Sequence, residues 1–355
     1  MDRRGEPGAR RWPLDGVGLA YLLAVVLALV QAATADDPAG ILTAAVPYLA
    51  ALATVLMVRA AGPHDDVSCS RWFAGLVVGS VLLAAWLVVA LVGALPGAVG
   101  EPHGFYRAKV AVTSPLGDHN TAAGLLLPGI VAAAALAGGD RRWHVGLALT
   151  GAGLVATLSR GAALVLLAVA GLAWLVPGAR GLRRRLLATA LSVVVAVLGL
   201  AWLLDASPPP GATVGDGPVG ASVLGRVDLA VRGLEVGLEH PALGVGLGRY
   251  EEVAGDLPPP NDHAHQALTH ALAEGGVGLL AVAVVVPGLL AVRVVRLPVG
   301  TSRAVLALAG VALVGHAQVE ILGGRLGYEV LLALLAGLAT AHSRHDSAGT
   351  HGDSA

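Results

Sequence analysis

Cysteine is nearly absent. Cys69 stands alone in 355 residues, which excludes an intrachain disulfide and any cysteine-built metal centre. Lysine is as scarce: Lys109 is the single lysine, and every other basic residue is arginine. Charge as a whole is thin. Asp, Glu, Lys and Arg make up 13% of the chain, against about 25% in a soluble domain. The formal net charge of −1 offers no overall pull towards nucleic acid or another polyanion, so no nucleic-acid partner is expected. What is present is aliphatic. Hydrophobic residues reach 55% although Phe and Met number only two each, and the mean hydropathy is +0.74. Such a chain belongs in a bilayer, and its Ala, Gly, Val and Arg usage fits a GC-rich bacterial coding bias.

A helix needs about 20 apolar residues to cross the hydrocarbon core. Ten apolar runs approach that length: 16–34, 41–58, 72–95, 121–137, 143–158, 161–176, 186–204, 276–292, 304–322 and 328–341. The fifth and sixth are short and read as a broken pair around Ser159-Arg160-Gly161. The spacing predicts an all-α polytopic transmembrane bundle of about ten spans. Basic residues set its orientation. With both termini in the cytoplasm, the cytoplasmic segments hold Arg3, Arg4, Arg10, Arg11, Arg59, Arg71, Arg141, Arg142, Arg180, Arg183, Arg184, Arg185, Arg293, Arg296, Arg303 and Arg344. The start also resembles a signal peptide, with Ala33-Thr34-Ala35 as a cleavage site, but a retained first helix is favoured. Arg107, Lys109, Arg160, Arg226, Arg232, Arg249 and Arg325 fall on the exterior side against this rule. A membrane-edge arginine costs about 2.5–3.5 kcal/mol on insertion scales, so residues kept there are functional candidates, with headgroup snorkelling or plain solvation as the other reading.

The exterior segment Asp205–Asp262 is the one large loop. A stiff Ser207-Pro208-Pro209-Pro210-Gly211 opens it. A helix is predicted over Ser222–Glu239, capped by Ser222, with Val223, Val227, Val231, Leu234 and Leu238 on one face. His240-Pro241 ends it, and Gly244, Gly246 and Gly248 follow in a turn. With no strand before it, that glycine cluster is not a dinucleotide loop. The helix is expected at the membrane surface or folded over a cavity.

The chemistry-bearing residues lie beside these segments. Asp262 is predicted to cap a helix whose first turn holds His263 and His265. The positive end of a helix disfavours imidazolium, and a neutral imidazole is what a general base needs. On such a helix His265 shares a face with Thr269 and Leu272, while His263, His270 and Glu274 share roughly the opposite one. Simple solvated histidines are an equal alternative. Helical His-x-His points its rings apart, so a metal site is not expected. Arg160 sits in so short a break that it should face a polar cavity, where its planar fork suits phosphate oxygens. Arg226, and Arg107 with Lys109, are further anion-binding candidates. No Asp-x-Asp occurs in the exterior loops to hold a divalent ion on a diphosphate. His316 and Glu320, spaced i and i+4, read as packing glue.

Four segments, in order, carry a family resemblance. They are Gly117-Asp118-His119-Asn120-Thr121-Ala122-Ala123, then Thr157-Leu158-Ser159-Arg160-Gly161-Ala162. Next comes Arg226 followed by Glu239-His240-Pro241-Ala242-Leu243-Gly244-Val245-Gly246-Leu247-Gly248. Last are His263-Ala264-His265-Gln266 and Ala273-Glu274-Gly275-Gly276-Val277-Gly278-Leu279. Together they resemble the O-antigen ligase and polymerase family of membrane glycosyltransferases, from about Arg107 to Val292. The resemblance implies a glycosyltransferase-C-like bundle in the bacterial cytoplasmic membrane. It implies transfer of a glycan from a polyprenyl (undecaprenyl) diphosphate carrier to a hydroxyl of a glycan, lipid-linked or protein acceptor, on the exterior face, without metal or cofactor. His265 would be the base, and Arg160 and Arg226 would bind the diphosphate with Arg107 and Lys109. Asn120, Ser159, His263, Gln266 and Glu274 would support them. The family has Asn where this chain has Gln266, and many of its members are longer.

The chain accordingly divides into N-terminal spans at 1–106, a core at 107–292 containing the 205–262 loop, C-terminal spans at 293–342 and a polar tail at 343–355. Two other functions fit the residues: a transporter or flippase of a lipid-linked saccharide, and an inactive family member. Charges gathered at one face rather than near the midplane weigh against transport.

Overall fold

The computed structural model of the chain describes residues 15–61, 66–101, 103–176, 179–204, 218–254, 264, 266–297, 302–320 and 325–340, with the side chains of 66–69, 218–226 and 254 left out. Within them the regular structure is helical apart from one pair of two-residue strands. The helices are α1 (Gly16–Thr34), α2 (Pro38–Ala60), α3 (Asp66–Ala94), α4 (Gly104–Ala111), α5 (His119–Leu136), α6 (Arg142–Ala156), α7 (Arg160–Leu172), α8 (Arg180–Leu204), α9 (Pro218–Glu239), α10 (Tyr250–Ala254), α11 (Ala267–Arg296), α12 (Ser302–Ala317) and α13 (Leu326–Thr340). The strands β1 (Thr113–Ser114) and β2 (Gly117–Asp118) form a hairpin between α4 and α5.

Each of the ten apolar runs contains a helix among the described residues. Six helices, namely α1, α2, α5, α8, α11 and most of α3, are long and apolar enough to cross a membrane; α7, α12 and α13 are apolar but shorter. An uninterrupted span was expected from the last two runs as well. Among the described residues α12 covers Ser302–Ala317 of the 304–322 run and α13 covers Leu326–Thr340 of the 328–341 run, each shorter than a full span.

Burial separates the centre from the rim. In α5, 72% of the apolar window is buried, against 22% in α8. Leu126, Leu127 and Ile130 of α5 and Leu306, Leu308 and Leu313 of α12 are wholly enclosed, whereas Leu82, Trp86, Val195 and Trp202 project outwards as lipid-facing side chains do. Small residues let the inner helices close on one another. A Cβ at Gly153 of α6 would lie 2.6 Å from the Ala84 backbone of α3, so only glycine permits that approach. The first helix is part of the bundle. Asp15 caps it, accepting from the Gly18 N–H at 3.1 Å, and it packs on α2 and α11. Beside that cap, Arg59 at the end of α2 and Thr340 at the end of α13 both bond to Asp15.

The helix predicted in the large loop exists as α9, but it begins at Pro218, so Ser222 lies inside it and does not cap it. Its predicted apolar stripe is not what packs inwards. Val227, Val231, Leu234 and Leu238 are exposed, while Leu229 and Val236 are buried and Gly233 and Gly237 abut Thr269 and Leu272 of α11. Two glycines allow α9 to ride directly on α11, and that close approach decides which face turns in.

Candidate functional site

The starts of α5, α7, α11 and α13 meet at one end of the bundle, together with α4 and the end of α12. Each start has its own local cause.

Helix α5 starts where the hairpin turns. Gly117 adopts a φ of 130°, and Asp118 then accepts the Thr121 N–H at 2.7 Å as an N-cap. Partial burial pushes the Asp118 carboxyl up. The Thr121 N–H, with the positive charge of His119 and Arg325, outweighs this and holds it below the usual carboxylate range. Arg325, just before α13, donates to the Thr121 hydroxyl at 3.2 Å and so joins the two helix starts. The Oδ1 of Asn120 is buried there with no hydrogen-bond partner among the described residues.

Helices α6 and α7 are separated only by Thr157, Leu158 and Ser159, and all three are buried. The turn bonds to itself: the Thr157 hydroxyl donates to the Leu154 carbonyl at 2.7 Å and accepts the Ser159 N–H at 3.2 Å. Leu158 sits at a φ of 53°, in the left-handed region that disfavours a branched residue, which is the kind of strain that clusters at functional sites. Ser159 caps α7, its Oγ accepting from the Ala162 N–H at 3.3 Å. Arg160 is therefore the first residue of α7, with its guanidinium carbon 5.2 Å from the centre of the buried Phe105 ring of α4. Gly161 faces Val319 beyond the end of α12. Arg107 pairs with Glu101 at 3.5 Å on the surface, and Lys109 lies partly buried in the last turn of α4.

Helix α11 starts differently from the sequence expectation. Its N-cap is Gln266, whose Oε1 accepts the Thr269 N–H at 2.7 Å. The helix begins at Ala267, so Asp262 does not cap it and His265 is not in its first turn. His263 and His265 lie outside the described residues, as does the side chain of Arg226, whose backbone belongs to α9. The longer amide of Gln266 both caps the helix and reaches across to donate to the Gln318 Oε1 at 2.9 Å. Below it, Glu274 is buried. One oxygen lies 3.4 Å from His270 Nε2 and the other accepts the Tyr250 N–H at 3.3 Å. Tyr250 packs edge-on against the His270 ring and donates its hydroxyl to the Leu229 carbonyl at 2.8 Å. Desolvation pushes the Tyr250 hydroxyl up to about 12.

The two glycine motifs interlock. Gly276 has a φ of 60° and breaks α11, freeing the Ala273 and Glu274 carbonyls. These accept the Val245 N–H at 2.8 Å and the Gly246 N–H at 3.1 Å from the turn after α9. In return the Val277 N–H donates to the Pro241 carbonyl at 2.8 Å. A Cβ at Gly244 would come 2.5 Å from the Ala273 carbonyl, and one at Gly276 would come 2.6 Å from that of Pro241. Gln31 of α1 closes the clasp, donating to the carbonyls of Leu243 at 2.5 Å and Glu274 at 2.8 Å and accepting the Leu247 N–H at 3.3 Å.

Sequence reasoning missed Gln31, Gln318 and Glu329 as parts of this end. Glu329, buried in α13, accepts from the Tyr21 hydroxyl at 3.1 Å, and both line a cavity of about 60 Å³ reached by His270 and Gln318. An acid inside an apolar run was the available signal for Glu329. Among the described residues no three His, Cys, Asp or Glu side chains meet as metal ligands would.

The arrangement suits an anion. Four helix starts and the cations Arg160 and Arg325 share one end, where the positive ends of helices and guanidinium forks both favour phosphate oxygens. Residues 145–284 match a family model described as O-antigen ligase. The match takes in the Ser159-Arg160 turn, α9, the glycine clasp and the start of α11, and leaves Arg107, Lys109 and Asn120 outside it. No curated protein and no solved structure matches the chain.

Proposed function

We propose, from the premise that this chain belongs to the O-antigen ligase family through residues 145–284, a specific reaction for its membrane glycosyltransferase fold. The donor is a glycan on a polyprenyl diphosphate, the acceptor is a hydroxyl, and the site faces the exterior of the bacterial cytoplasmic membrane. The observation that carries the reading is the gathering of Arg160, Arg325 and the starts of α5, α7, α11 and α13 at one end of the bundle.

In the reaction the acceptor oxygen attacks the anomeric carbon, and the bond from that carbon to the diphosphate oxygen breaks. The diphosphate leaves with the bonding electrons, and its growing charge is what preorganised donors stabilise. Arg160 is assigned to that charge, with Arg226 as a second clamp and Arg107 and Lys109 as further donor-binding cations. His265 takes the proton of the acceptor hydroxyl, and Gln266 and Glu274 hold the start of α11 in place. The exterior assignment rests on the arginines at the opposite end, among them Arg59, Arg71, Arg142, Arg184 and Arg303, which mark a cytoplasmic side.

The test uses purified protein, a polyprenyl-diphosphate-linked oligosaccharide and candidate acceptors. Release of polyprenyl diphosphate is measured for the wild type, His265→Ala and Arg160→Ala, with and without chelator. Chelator-resistant release that both substitutions abolish is expected. Binding of donor without release for any acceptor would overturn the transferase reading and turn attention to translocation in proteoliposomes.

A further inference from the structure

At the end of the bundle opposite the candidate site, a cavity of about 350 Å³ opens between α3, α5, α8 and α12. Its walls are mostly apolar, with Phe73, Leu136 and Leu308 prominent, and its polar groups are the hydroxyls of Ser70 and Ser302 and the guanidinium of Arg185. The cavity shares no residue with the site of the proposed reaction, so its reading stands or falls separately.

Arg185 is the last of three consecutive arginines near the start of α8, and the three point to different surroundings. Arg183 lies over the Trp174 ring at 5.4 Å and donates to the Val176 carbonyl at 3.1 Å. Arg184 is exposed. Arg185 turns inwards, where its Nε donates to the Ala134 carbonyl in the last turn of α5 at 2.6 Å. Its amino groups lie over two glycines. A Cβ at Gly138 would come 2.9 Å from Nη2, and one at Gly181 would come 3.2 Å from Nη1. The sequence thus keeps two positions bare of side chain where the guanidinium enters the cavity. Among the described residues no carboxylate pairs with Arg185, and Asp140 nearby is held by Arg142 at 2.7 Å.

A guanidinium aimed into an apolar cavity at a membrane edge calls for an anion that brings its own apolar part. The neighbouring sequence carries the same sign of charge, since Arg183 and Arg184 precede Arg185 and Arg303 follows Ser302. We propose that this cavity binds an anionic glycerophospholipid of the adjoining leaflet. Its phosphate accepts from the amino groups of Arg185, Ser70 and Ser302 donate to the same headgroup, and an acyl chain covers Phe73, Leu136 and Leu308. Arginine serves here better than lysine because one nitrogen holds α5 while the planar fork still presents two donors.

The test is lipid retention by the delipidated full-length protein in a neutral detergent, read by native mass spectrometry and by melting temperature. The probes are phosphatidylglycerol, phosphatidylethanolamine and inorganic phosphate. Wild type should retain phosphatidylglycerol in preference to phosphatidylethanolamine, and inorganic phosphate should neither stabilise the protein nor displace the lipid. Arg185→Gln should weaken retention by about tenfold or more, the scale of a lost charge-assisted bond. Because that change also releases the Ala134 carbonyl, Leu308→Trp is the second variant: it fills the cavity, leaves Arg185 in place and should lose the lipid equally. Arg184→Gln should retain it. Equal losses in Arg184→Gln and Arg185→Gln would mean diffuse surface charge and overturn the site. So would retention by Leu308→Trp, equal binding of the two lipids, or displacement by inorganic phosphate.

Discussion

Arg160 shows how much one position asks of its neighbours. A strained Leu158, a capping Ser159 and a packed Phe105 hold it at the start of a helix. If it stabilises a departing diphosphate, Arg160→Ala should lower release of polyprenyl diphosphate by about 100-fold or more, the scale of losing one transition-state donor. Arg160→Lys, which keeps the charge and loses the fork, should fall between. Steady-state rates at saturating donor would check both. Tyr250 gives a prediction in pH. Its folded-state value of about 12 lies above the roughly 10 of an unfolded tyrosine. The neutral hydroxyl therefore contributes stability that is fully present below about pH 10 and is lost as pH rises towards 12. Melting temperatures of wild type across that range should fall more steeply than those of Tyr250→Phe.

At the scale of elements, the clasp between the turn after α9 and the break in α11 is the joint that holds the loop to the bundle. Gly244 and Gly276 are both at positive φ and both pressed against backbone that cannot retreat. Gly276→Ala should cost about 1–3 kcal/mol from the backbone alone, with the steric clash in addition. The expected observation is a lowered melting temperature with loss of activity, whereas Gly288→Ala in the same helix, where nothing lies within 4 Å of the added carbon, should leave both unchanged.

Across the whole molecule, α1 closes the clasp from the far end of the chain through Gln31. Gln31→Ala takes the donor from the Leu243 carbonyl and the acceptor from the Leu247 N–H, at about 1–3 kcal/mol for each group left without a partner, and leaves the Glu274 carbonyl with the Gly246 N–H alone. It should therefore destabilise the loop although it lies more than two hundred residues away in sequence, and hydrogen exchange at Val245 and Gly246 should speed up. Orientation is also a property of the whole chain. In a Cys69→Ser background, His103→Cys should react with a membrane-impermeant maleimide in intact cells, and Arg184→Cys only after permeabilisation. The reverse pattern would invert the proposed topology and move the site to the cytoplasm.

Composition and hydropathy alone determined that this is a bundle of apolar helices, because burying a backbone in lipid leaves little choice but helix. The Ser159-Arg160-Gly161 break was legible for the same reason: a charge between two apolar runs has few places to go. Local pattern failed where a neighbour decided. Asp262 and Ser222 look like caps in sequence, yet Gln266 caps α11 and α9 already begins at Pro218. The apolar stripe of α9 was read correctly, but Gly233 and Gly237 turn a different face onto α11. Pairs such as Gln266 with Gln318, Gln31 with Leu243 and Arg325 with Thr121 join residues far apart along the chain. No periodicity encodes them. Only the packing of helix on helix brings those polar groups within bonding distance, in an interior where each must find a partner.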